Sequence, residues 1–247
     1  MDSLREAAVR VFSASAMIIV IGFCAIWALA NVVLVTAQWE FDDVHAYLGT
    51  AQRLLDGRPL YVLTPNLSDM YFYAPWFAYL WMPFAALPRI GVEVAWAVVL
   101  LVSNIAALVQ FRRTWAGLAL ALLLGGLLYR TAGWGNVQPL LVAFLVYTLP
   151  TRAGPWAVGV ASSLKPWPIL AVGVYLWRRQ WTSAAISLTV AALLWLPILL
   201  FNWTEYPAGA RAPNIYDATF LLAVPSLLAA AGSGRRRATP TSRKPIS

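Results

Sequence analysis

The sequence predicts an all-α protein, a polytopic helical membrane protein with six to eight transmembrane helices and an amphipathic helix in its first outer loop. Composition is the first reason, because 61% of the 247 residues are hydrophobic and 11% are charged, whereas soluble domains have about 25% charged residues. The 13 Trp and 10 Tyr are the second, because such rings collect at membrane interfaces. The third is a series of long apolar runs. The first, residues 15–37, is long enough to span a bilayer and too long for the core of a signal peptide.

The apolar runs divide the chain into segments. We place them at residues 14–37, 71–88, 92–111, 114–129, 137–150, 155–177, 182–201 and 218–232. The fifth and eighth are short for a bilayer and can be re-entrant or tilted. If the N-terminus is cytoplasmic and every segment crosses, most Arg and Lys residues fall inside, as the positive-inside rule requires, although Arg112 and Arg113 fall outside. We expect one membrane domain over residues 1–232 and a disordered, basic cytoplasmic tail over 233–247.

The first outer loop, about residues 38–70, contains the predicted amphipathic helix. Between residues 43 and 55 the apolar side chains recur at i, i+3 and i+4, the spacing of one helix face. They are Val44, Tyr47, Leu48, Ala51, Leu54 and Leu55. Asp42 is suited to the N-cap and Gly57 to the C-terminal stop. We expect this helix to lie in the plane of the membrane interface.

Residue counts exclude several kinds of site. Cys24 is the single Cys and His45 the single His, which excludes a disulfide within the chain, a cysteine metal site and a histidine cluster. The net charge of +8 is interpreted as topology signals and contact with membrane lipids. No nucleic-acid partner is expected, because no basic patch is interleaved with exposed aromatic residues. The chain has neither GxGxxG nor a P-loop, and no cofactor is expected.

Asp43 is the first candidate for chemistry, and two interpretations of it are open. It can be a general base that deprotonates a hydroxyl at the membrane surface, or it can stabilise the N-terminus of its helix. Clustering of acids on the predicted outer side favours a catalytic face. These acids are Glu40, Asp42, Asp43, Asp56, Asp69, Glu205 and Asp217. We expect no metal at Asp42 and Asp43, because adjacent carboxylates on one helix point apart.

Lys165 is the second candidate, because it lies inside the sixth apolar segment and precedes Pro166 and Pro168. A lysine within a membrane span is costly and marks a functional site by default. The prolines break the helix locally, so that freed backbone groups can line a cavity. Lys165 either contacts the phosphate of a lipid carrier or snorkels to an interface.

Two further elements lie at the start of apolar segments, the first inside the second segment and the second leading into the fifth. Residues 71–76, YFYAPW, form either an interfacial aromatic belt or a wall for a sugar beside the carboxylate. Residues 133–138, GWGNVQ, form either a turn and helix start or a set of polar contacts to a headgroup or another loop. Neither element is decisive alone.

The order and spacing of these motifs over residues 40–181 resemble glycosyltransferase family 87, whose members are integral-membrane enzymes of the GT-C type. That family has a D-F-x-x-Y loop followed by L-L-x-G-x-x-x-Y, then Y-x-Y-P-P, G-Q-x-N, and K-P-x-P before R-R-x-W. The corresponding residues are Asp43, Val44, Tyr47, Ala51, Leu54, Leu55, Gly57 and Tyr61, with residues 71–88, 135–138, 161–168 and 178–181.

The resemblance implies a GT-C-like fold, a polyprenyl-phosphate sugar donor and transfer with inversion to a cell-envelope glycolipid or lipoglycan, with mannose or arabinose as the sugar. It implies that Asp43, and not Asp42, is the general base. The active face would be extracytoplasmic in the cell membrane, with both termini cytoplasmic. We expect further substrate contacts from Asp42, His45, Tyr47, Tyr71, Tyr73, Asn136, Gln138, Lys165 and Arg211.

The chain departs from that family in two ways. Members are usually longer, and Asn136 and Gln138 stand in exchanged positions. A non-catalytic, truncated membrane subunit that assists another glycosyltransferase, and needs that membrane protein as its partner, is therefore the alternative. A small transporter is a third interpretation, disfavoured because the two halves of the chain show no similar pair of broken helices.

Overall fold

The computed structural model describes residues 2–36, 40–63, 70–111, 115–201, 203–206 and 215–233, and this part of the chain is helical without strands. The α-helices are α1 (Asp2–Thr36), α2 (Asp42–Leu55), α3 (Pro75–Trp81), α4 (Arg89–Val109), α5 (Trp115–Gly133), α6 (Gln138–Thr148), α7 (Gly154–Leu164), α8 (Leu170–Trp177), α9 (Trp181–Trp195) and α10 (Val224–Ser233). Short 3-10 helices lie at Met82–Phe84, Trp167–Ile169, Leu196–Leu200, Trp203–Glu205 and Ile215–Ala223.

Four helices of the described residues are long and apolar enough to cross a membrane: Ala14–Val33, Arg89–Val109, Trp115–Gly133 and Trp181–Leu200. Shorter apolar helices of 10–17 residues accompany them at Gln138–Thr148, Trp167–Trp177 and Ala218–Leu228. The predicted all-α, polytopic membrane architecture is confirmed. The predicted tail over 233–247 lies, apart from Ser233, outside the described residues.

The second apolar segment does not form a membrane-spanning helix, and its place among the predicted crossings is wrong. α3 has seven residues and the 3-10 helix after it has three. Pro75 lies in the first turn of α3, Pro83 lies in the 3-10 helix, and Pro88 is the N-cap of α4. Because proline lacks an N–H and clashes with the preceding turn, a continuous helix cannot pass through these positions.

The sixth apolar segment is two helices rather than one. α7 ends at Leu164, and Lys165 has extended backbone angles of φ −134° and ψ 137°. Pro166 explains this conformation, because the ring of a proline pushes the preceding residue out of the helical region. α8 begins only at Leu170.

Contacts between helices α1 and α5 show the order of the crossings. The Trp27 Nε1 donates a hydrogen bond of 3.0 Å to the carbonyl of Leu123, and Asn31 packs against Gly126. Residue numbers rise together along both helices, so α1 and α5 run parallel. Two parallel helices that both span a membrane are separated by an odd number of crossings, and among the described helices between α1 and α5 only α4 is long and apolar enough to cross.

The same reasoning applies to α4 and α6, and to α7 and α9. Tyr147 in α6 donates a hydrogen bond of 3.0 Å to the carbonyl of Ala106 in α4, while Trp96, earlier in α4, donates one of 2.7 Å to the carbonyl of Gly135, just before α6. Ser187 in α9 donates one of 2.9 Å to the carbonyl of Pro155 at the start of α7, and Val190, further along α9, lies against Gly159, further along α7. Both pairs are parallel, so α8, which connects α7 to α9, runs in the opposite direction to both.

The first turn of α4 lies beside α2. His45 Nε2 and Glu93 Oε1 are 2.8 Å apart, and Arg89 Nε donates a 2.8 Å hydrogen bond to the same carboxylate oxygen. Arg89 therefore shares the side of Asp43, whereas eight alternating crossings with a cytoplasmic N-terminus would put Arg89 on the cytoplasmic side, opposite Asp43. The error follows from counting residues 71–88 as a crossing.

Candidate active site

Helix α2 carries Asp43, and two backbone hydrogen bonds fasten its start to the end of α5. The N–H of Phe41 donates to the carbonyl of Gly133 at 3.3 Å, and the N–H of Asp43 donates to that of Trp134 at 3.0 Å. Phe41 is the N-cap in the left-handed conformation, with φ 51° and no side-chain cap bond. The predicted N-cap role of Asp42 is wrong, because Asp42 is already the first helical residue.

The far end of α2 is as predicted. Gly57 has φ +65°, and its N–H donates to the carbonyl of Leu54 at 3.1 Å while that of Arg58 donates to the carbonyl of Arg53 at 2.8 Å. This pair of bonds is a Schellman motif, in which glycine takes the left-handed position at the least steric cost. The apolar face of α2 packs on protein, since Val44, Tyr47 and Ala51 are buried.

The Asp43 carboxylate is held by two side chains from distant parts of the chain. Asn136 Nδ2 donates a hydrogen bond of 2.8 Å to Oδ2. The hydroxyl of Tyr73 donates a longer one, 3.4 Å, to Oδ1. Asn136 Nδ2 also reaches the Tyr73 hydroxyl at 3.2 Å. One carboxylate, one amide and one phenol thus form a closed polar triangle.

A tight turn at Gly135 brings Asn136 to this position. Gly135 has φ +74° and lies against α2, where a Cβ atom would come within 2.5 Å of Val44 Cγ2. Its carbonyl accepts a 2.7 Å hydrogen bond from Trp96 Nε1. The Asn136 Oδ1 accepts the backbone N–H of Gln138 at 3.0 Å, which fixes the amide with its nitrogen toward Asp43. The predicted polar contact of this element to another loop is therefore present.

Tyr47 and Tyr73 form the buried side of the site. The hydroxyl of Tyr47 donates a hydrogen bond of 3.0 Å to that of Tyr73, and their rings meet edge to face at 5.3 Å. Tyr47 is 0% exposed. Burial first, and then the negative charge of Asp43, raise the pKa of the Tyr47 phenol well above its usual value. Tyr47 therefore stays a neutral donor at any physiological pH.

Lys165 lies on the Tyr73 side chain. Its Nζ is 5.7 Å from the centroid of the Tyr73 ring, a distance at which an ammonium is attracted by the ring face. Lys165 is 6% exposed, so its ammonium does not snorkel to the surface of the protein. The helix break at Pro166 places a cation and a carboxylate in contact with the same tyrosine.

Other predicted site residues point elsewhere. His45 pairs with Glu93, the hydroxyl of Tyr71 donates a 3.0 Å bond to the carbonyl of Ala74, and Gln138 Nε2 contacts the hydroxyl of Thr219. No hydrogen bond or ion pair of Asp42 with another described residue is present. The predicted residue Arg211 lies outside the described part of the chain.

Sequence reasoning missed several residues that support the site. Trp96 holds the Gly135 turn, and Thr219 bonds Gln138. Trp76, which belongs to the predicted aromatic element, donates a 3.0 Å bond from Nε1 to Ser163 Oγ. The role of Glu93 could have been predicted, because a carboxylate within an apolar segment is energetically costly unless it is paired. The roles of Trp96 and Thr219 could not, since single apolar or hydroxyl residues are common in membrane helices.

No group of three or more His, Cys, Asp or Glu side chains able to hold a metal gathers among the described residues. The site therefore offers a carboxylate, an amide, two phenols and an ammonium, which are groups for proton transfer and for binding hydroxyls and anions.

Comparison with known proteins gives one result. The model of glycosyltransferase family 87 matches residues 71–241, which is more than half of the chain. No curated protein and no solved structure matches. The matched part includes Tyr73, Asn136 and Lys165, whereas Asp43 and the rest of α2 precede it. By this match over most of its length, the chain belongs to glycosyltransferase family 87.

Proposed function

We propose that the protein transfers a sugar, mannose or arabinose, from a polyprenyl-phosphate donor to a glycolipid or lipoglycan acceptor of the cell envelope, with Asp43 as general base. One observation carries the proposal. The Asp43 carboxylate is bonded by Tyr73 and Asn136, two residues of the family-matched region. Membership of a glycosyltransferase family indicates sugar transfer as the reaction class. The contact of Tyr73 and Asn136 with Asp43 connects α2 with the family-matched region.

The chemistry requires a single proton acceptor. The hydroxyl oxygen of the acceptor attacks the anomeric carbon, its proton passes to Asp43, and the bond between that carbon and the phosphate oxygen breaks. The phosphate leaves with the bonding electron pair, and the anomeric configuration inverts. The 3.4 Å contact of Tyr73 with Oδ1 is long for an O–H donor, so an acceptor hydroxyl can take its place.

Lys165 is assigned to the phosphate of the donor. A phosphate that leaves gains negative charge, and a cation in a site shielded from water stabilises that charge strongly. Lys165 is buried and contacts Tyr73, so its charge lies in the same polar cluster as the base. This is the arrangement that a proton acceptor and a leaving-group stabiliser require.

An apolar cavity beside Lys165 is assigned to the polyprenyl chain. Its volume is about 420 Å³, and its lining includes Trp167, Pro168, Leu145 and Leu227. Lys165 itself does not line this cavity, but Trp167 and Pro168 are the second and third residues after it. The apolar space assigned to the lipid thus lies at the same helix break as the cation assigned to its phosphate.

The revised order of crossings supports an extracytoplasmic site with a cytoplasmic N-terminus. With α4 as the second crossing, the connection from α4 to α5 falls on the cytoplasmic side. Arg112 and Arg113 belong to that connection in the sequence and lie outside the described residues. They were the exception to the positive-inside rule, and the revised order removes it.

The test is transfer of radiolabelled sugar to endogenous lipid acceptors. Membranes that contain wild type, Asp43→Asn or Asp42→Asn would be supplied with polyprenyl-phosphate-mannose or polyprenyl-phosphate-arabinose. We expect Asp43→Asn to reduce transfer about 10²- to 10⁴-fold, the usual contribution of a positioned base. Asp42→Asn, its matched control, should keep most activity. Equal losses in both variants would contradict the role of Asp43, and no transfer by wild type would favour the non-catalytic subunit.

A further inference from the structure

The turn between α8 and α9 contains an arginine where glycine is expected. Helix α8 ends in the same Schellman motif as α2: Arg179 N–H donates to the carbonyl of Leu176 at 2.9 Å, and Gln180 N–H donates to that of Tyr175 at 2.8 Å. Arg179 occupies the left-handed position with φ 57°, where α2 has Gly57. A side chain other than glycine costs roughly 1 kcal/mol or more in this conformation. Despite this cost, Arg179 adds a second cation beside Arg178.

The cations of this turn are not neutralised within the described protein. Neither Arg178 nor Arg179 forms an ion pair with a described residue. The guanidinium of Arg178 stacks over the ring of Trp177 at 4.8 Å, and its buried Nε has no hydrogen-bond partner among the residues described. An anion beside the two guanidinium groups would lower the energy of both.

Exposed tryptophans flank the arginines. Trp177 is 73% exposed and Trp181 is 65% exposed. Trp156, 57% exposed, lies at the start of α7, which the bond between Ser187 and Pro155 places at the same end as the start of α9. Tryptophans that remain exposed on a membrane protein lie at the level of the lipid headgroups. This end is opposite Asp43, because α7 runs from it toward Lys165.

The first turn of α9 adds backbone donors at the same place. Helix α9 begins at Trp181 after Gln180, with no side-chain cap bond. The leading N–H groups of a helix are unsatisfied within the helix and favour a phosphate group. Two arginines, these N–H groups and two flanking tryptophans therefore belong to one short turn.

We infer that the turn of residues 177–181 binds the phosphate headgroup of an anionic phospholipid in the membrane leaflet opposite Asp43. The guanidinium groups contact the phosphate, and the two indoles lie in the headgroup layer on either side. A phospholipid is favoured over free phosphate because exposed indoles accompany the cations. The inference does not depend on the sugar transfer proposed for Asp43.

The test measures thermal unfolding of the full-length protein in nanodiscs of phosphatidylcholine, with and without phosphatidylglycerol. We expect phosphatidylglycerol to raise the Tm of wild type, and Arg178→Gln/Arg179→Gln to lose most of that increase. Arg58→Gln, at an exposed arginine just after α2 that pairs with Asp56, is the control and should keep it. A wild type indifferent to phosphatidylglycerol, or a double variant with the full increase, would overturn the inference.

Arg179→Gly separates the lipid role from a simple loss of stability. Glycine removes the left-handed strain, so this variant should have a higher Tm than wild type in phosphatidylcholine alone. Its gain from phosphatidylglycerol should nevertheless be smaller. Native mass spectrometry should show less phosphatidylglycerol retained by Arg179→Gly than by wild type. Equal retention would contradict a headgroup contact by this side chain.

Discussion

Asn136 donates a 2.8 Å hydrogen bond to the carboxylate of Asp43, although 93 positions separate the two residues in the chain. The family motif has Gln at the position of Asn136 and Asn at that of Gln138, so the exchange raised doubt about this element. The shorter amide is the one that contacts Asp43, while the longer one reaches Thr219. Each amide has a partner within its reach.

Asn136→Ala should reduce sugar transfer without unfolding the protein. A hydrogen bond to a charged group contributes about 1.5–3 kcal/mol, so we expect a loss of about 10- to 100-fold in kcat/KM. Gln52→Ala is the control, because Gln52 lies on the exposed side of α2 and bonds Asp56. Initial rates of label transfer measure both. Equal losses in the two variants would indicate that disturbance of α2, and not of Asp43, is responsible.

Lys165→Met should weaken use of the donor more than use of the acceptor. Methionine keeps a long apolar side chain beside Tyr73 but removes the charge assigned to the phosphate. We expect kcat/KM for the polyprenyl-phosphate donor to fall about 10- to 100-fold, the equivalent of one charge-assisted contact. Lys165→Arg should restore part of it. An unchanged donor dependence in Lys165→Met would remove Lys165 from the phosphate site.

Gly135→Ala should destabilise the protein and detach α2 from α5. The new Cβ would lie within 2.5 Å of Val44 Cγ2, at a backbone φ of +74°. Strain at such a position costs about 1–3 kcal/mol, and the thermal unfolding midpoint should fall accordingly. Gly91→Ala is the matched control, because nothing lies within 4 Å of a Cβ atom at Gly91 in α4. Alanine there should be neutral or stabilising.

Alkaline pH should destabilise the protein through its buried tyrosines. Burial raises the pKa of Tyr47 and of Tyr71 well above the usual value of 10.0. A phenol whose pKa is higher in the folded than in the unfolded protein contributes its full stabilisation at pH values below the unfolded pKa. This contribution is lost as the pH rises from the unfolded pKa toward the folded pKa. Unfolding midpoints in detergent should therefore fall above about pH 10. The unfolding midpoint of Tyr71→Phe should fall less steeply with pH than that of wild type. An identical slope would argue against a buried, neutral Tyr71.

Much of the architecture could be predicted because it depends on local composition. Apolar length identified the spanning segments, and the i, i+3, i+4 pattern with Gly57 identified α2. The predicted order of crossings was wrong because residues 71–88 are as apolar as a true membrane span. Only the helix-breaking prolines in this segment distinguish it from one. The parallel pairing of α1 with α5 depends on tertiary packing, which no local pattern encodes.

The candidate site was predictable in its chemistry and not in its assembly. Asp43 and Lys165 stood out because charged groups at or within a membrane are costly. Their common contact with Tyr73 could not be read from spacing, because three separate chain segments supply it. His45 was grouped with the site by its proximity in sequence to Asp43. Two residues along a helix rotate the side chain by about 200°, however, and His45 contacts Glu93 instead.

The fastening of α2 to the turn after α5 has a consequence for biosynthesis. Asp43 leaves the ribosome long before Gly133, Trp134 and Asn136, which complete its surroundings. At a synthesis rate of about 5–20 residues per second, the delay is roughly 5–20 seconds. During that interval α1 and α2 have been synthesised, but the start of α2 lacks its backbone partners and the carboxylate lacks its amide partner. A nascent chain arrested before α5 would therefore insert in the membrane yet have no ordered base, so the site matures only when the third crossing is complete.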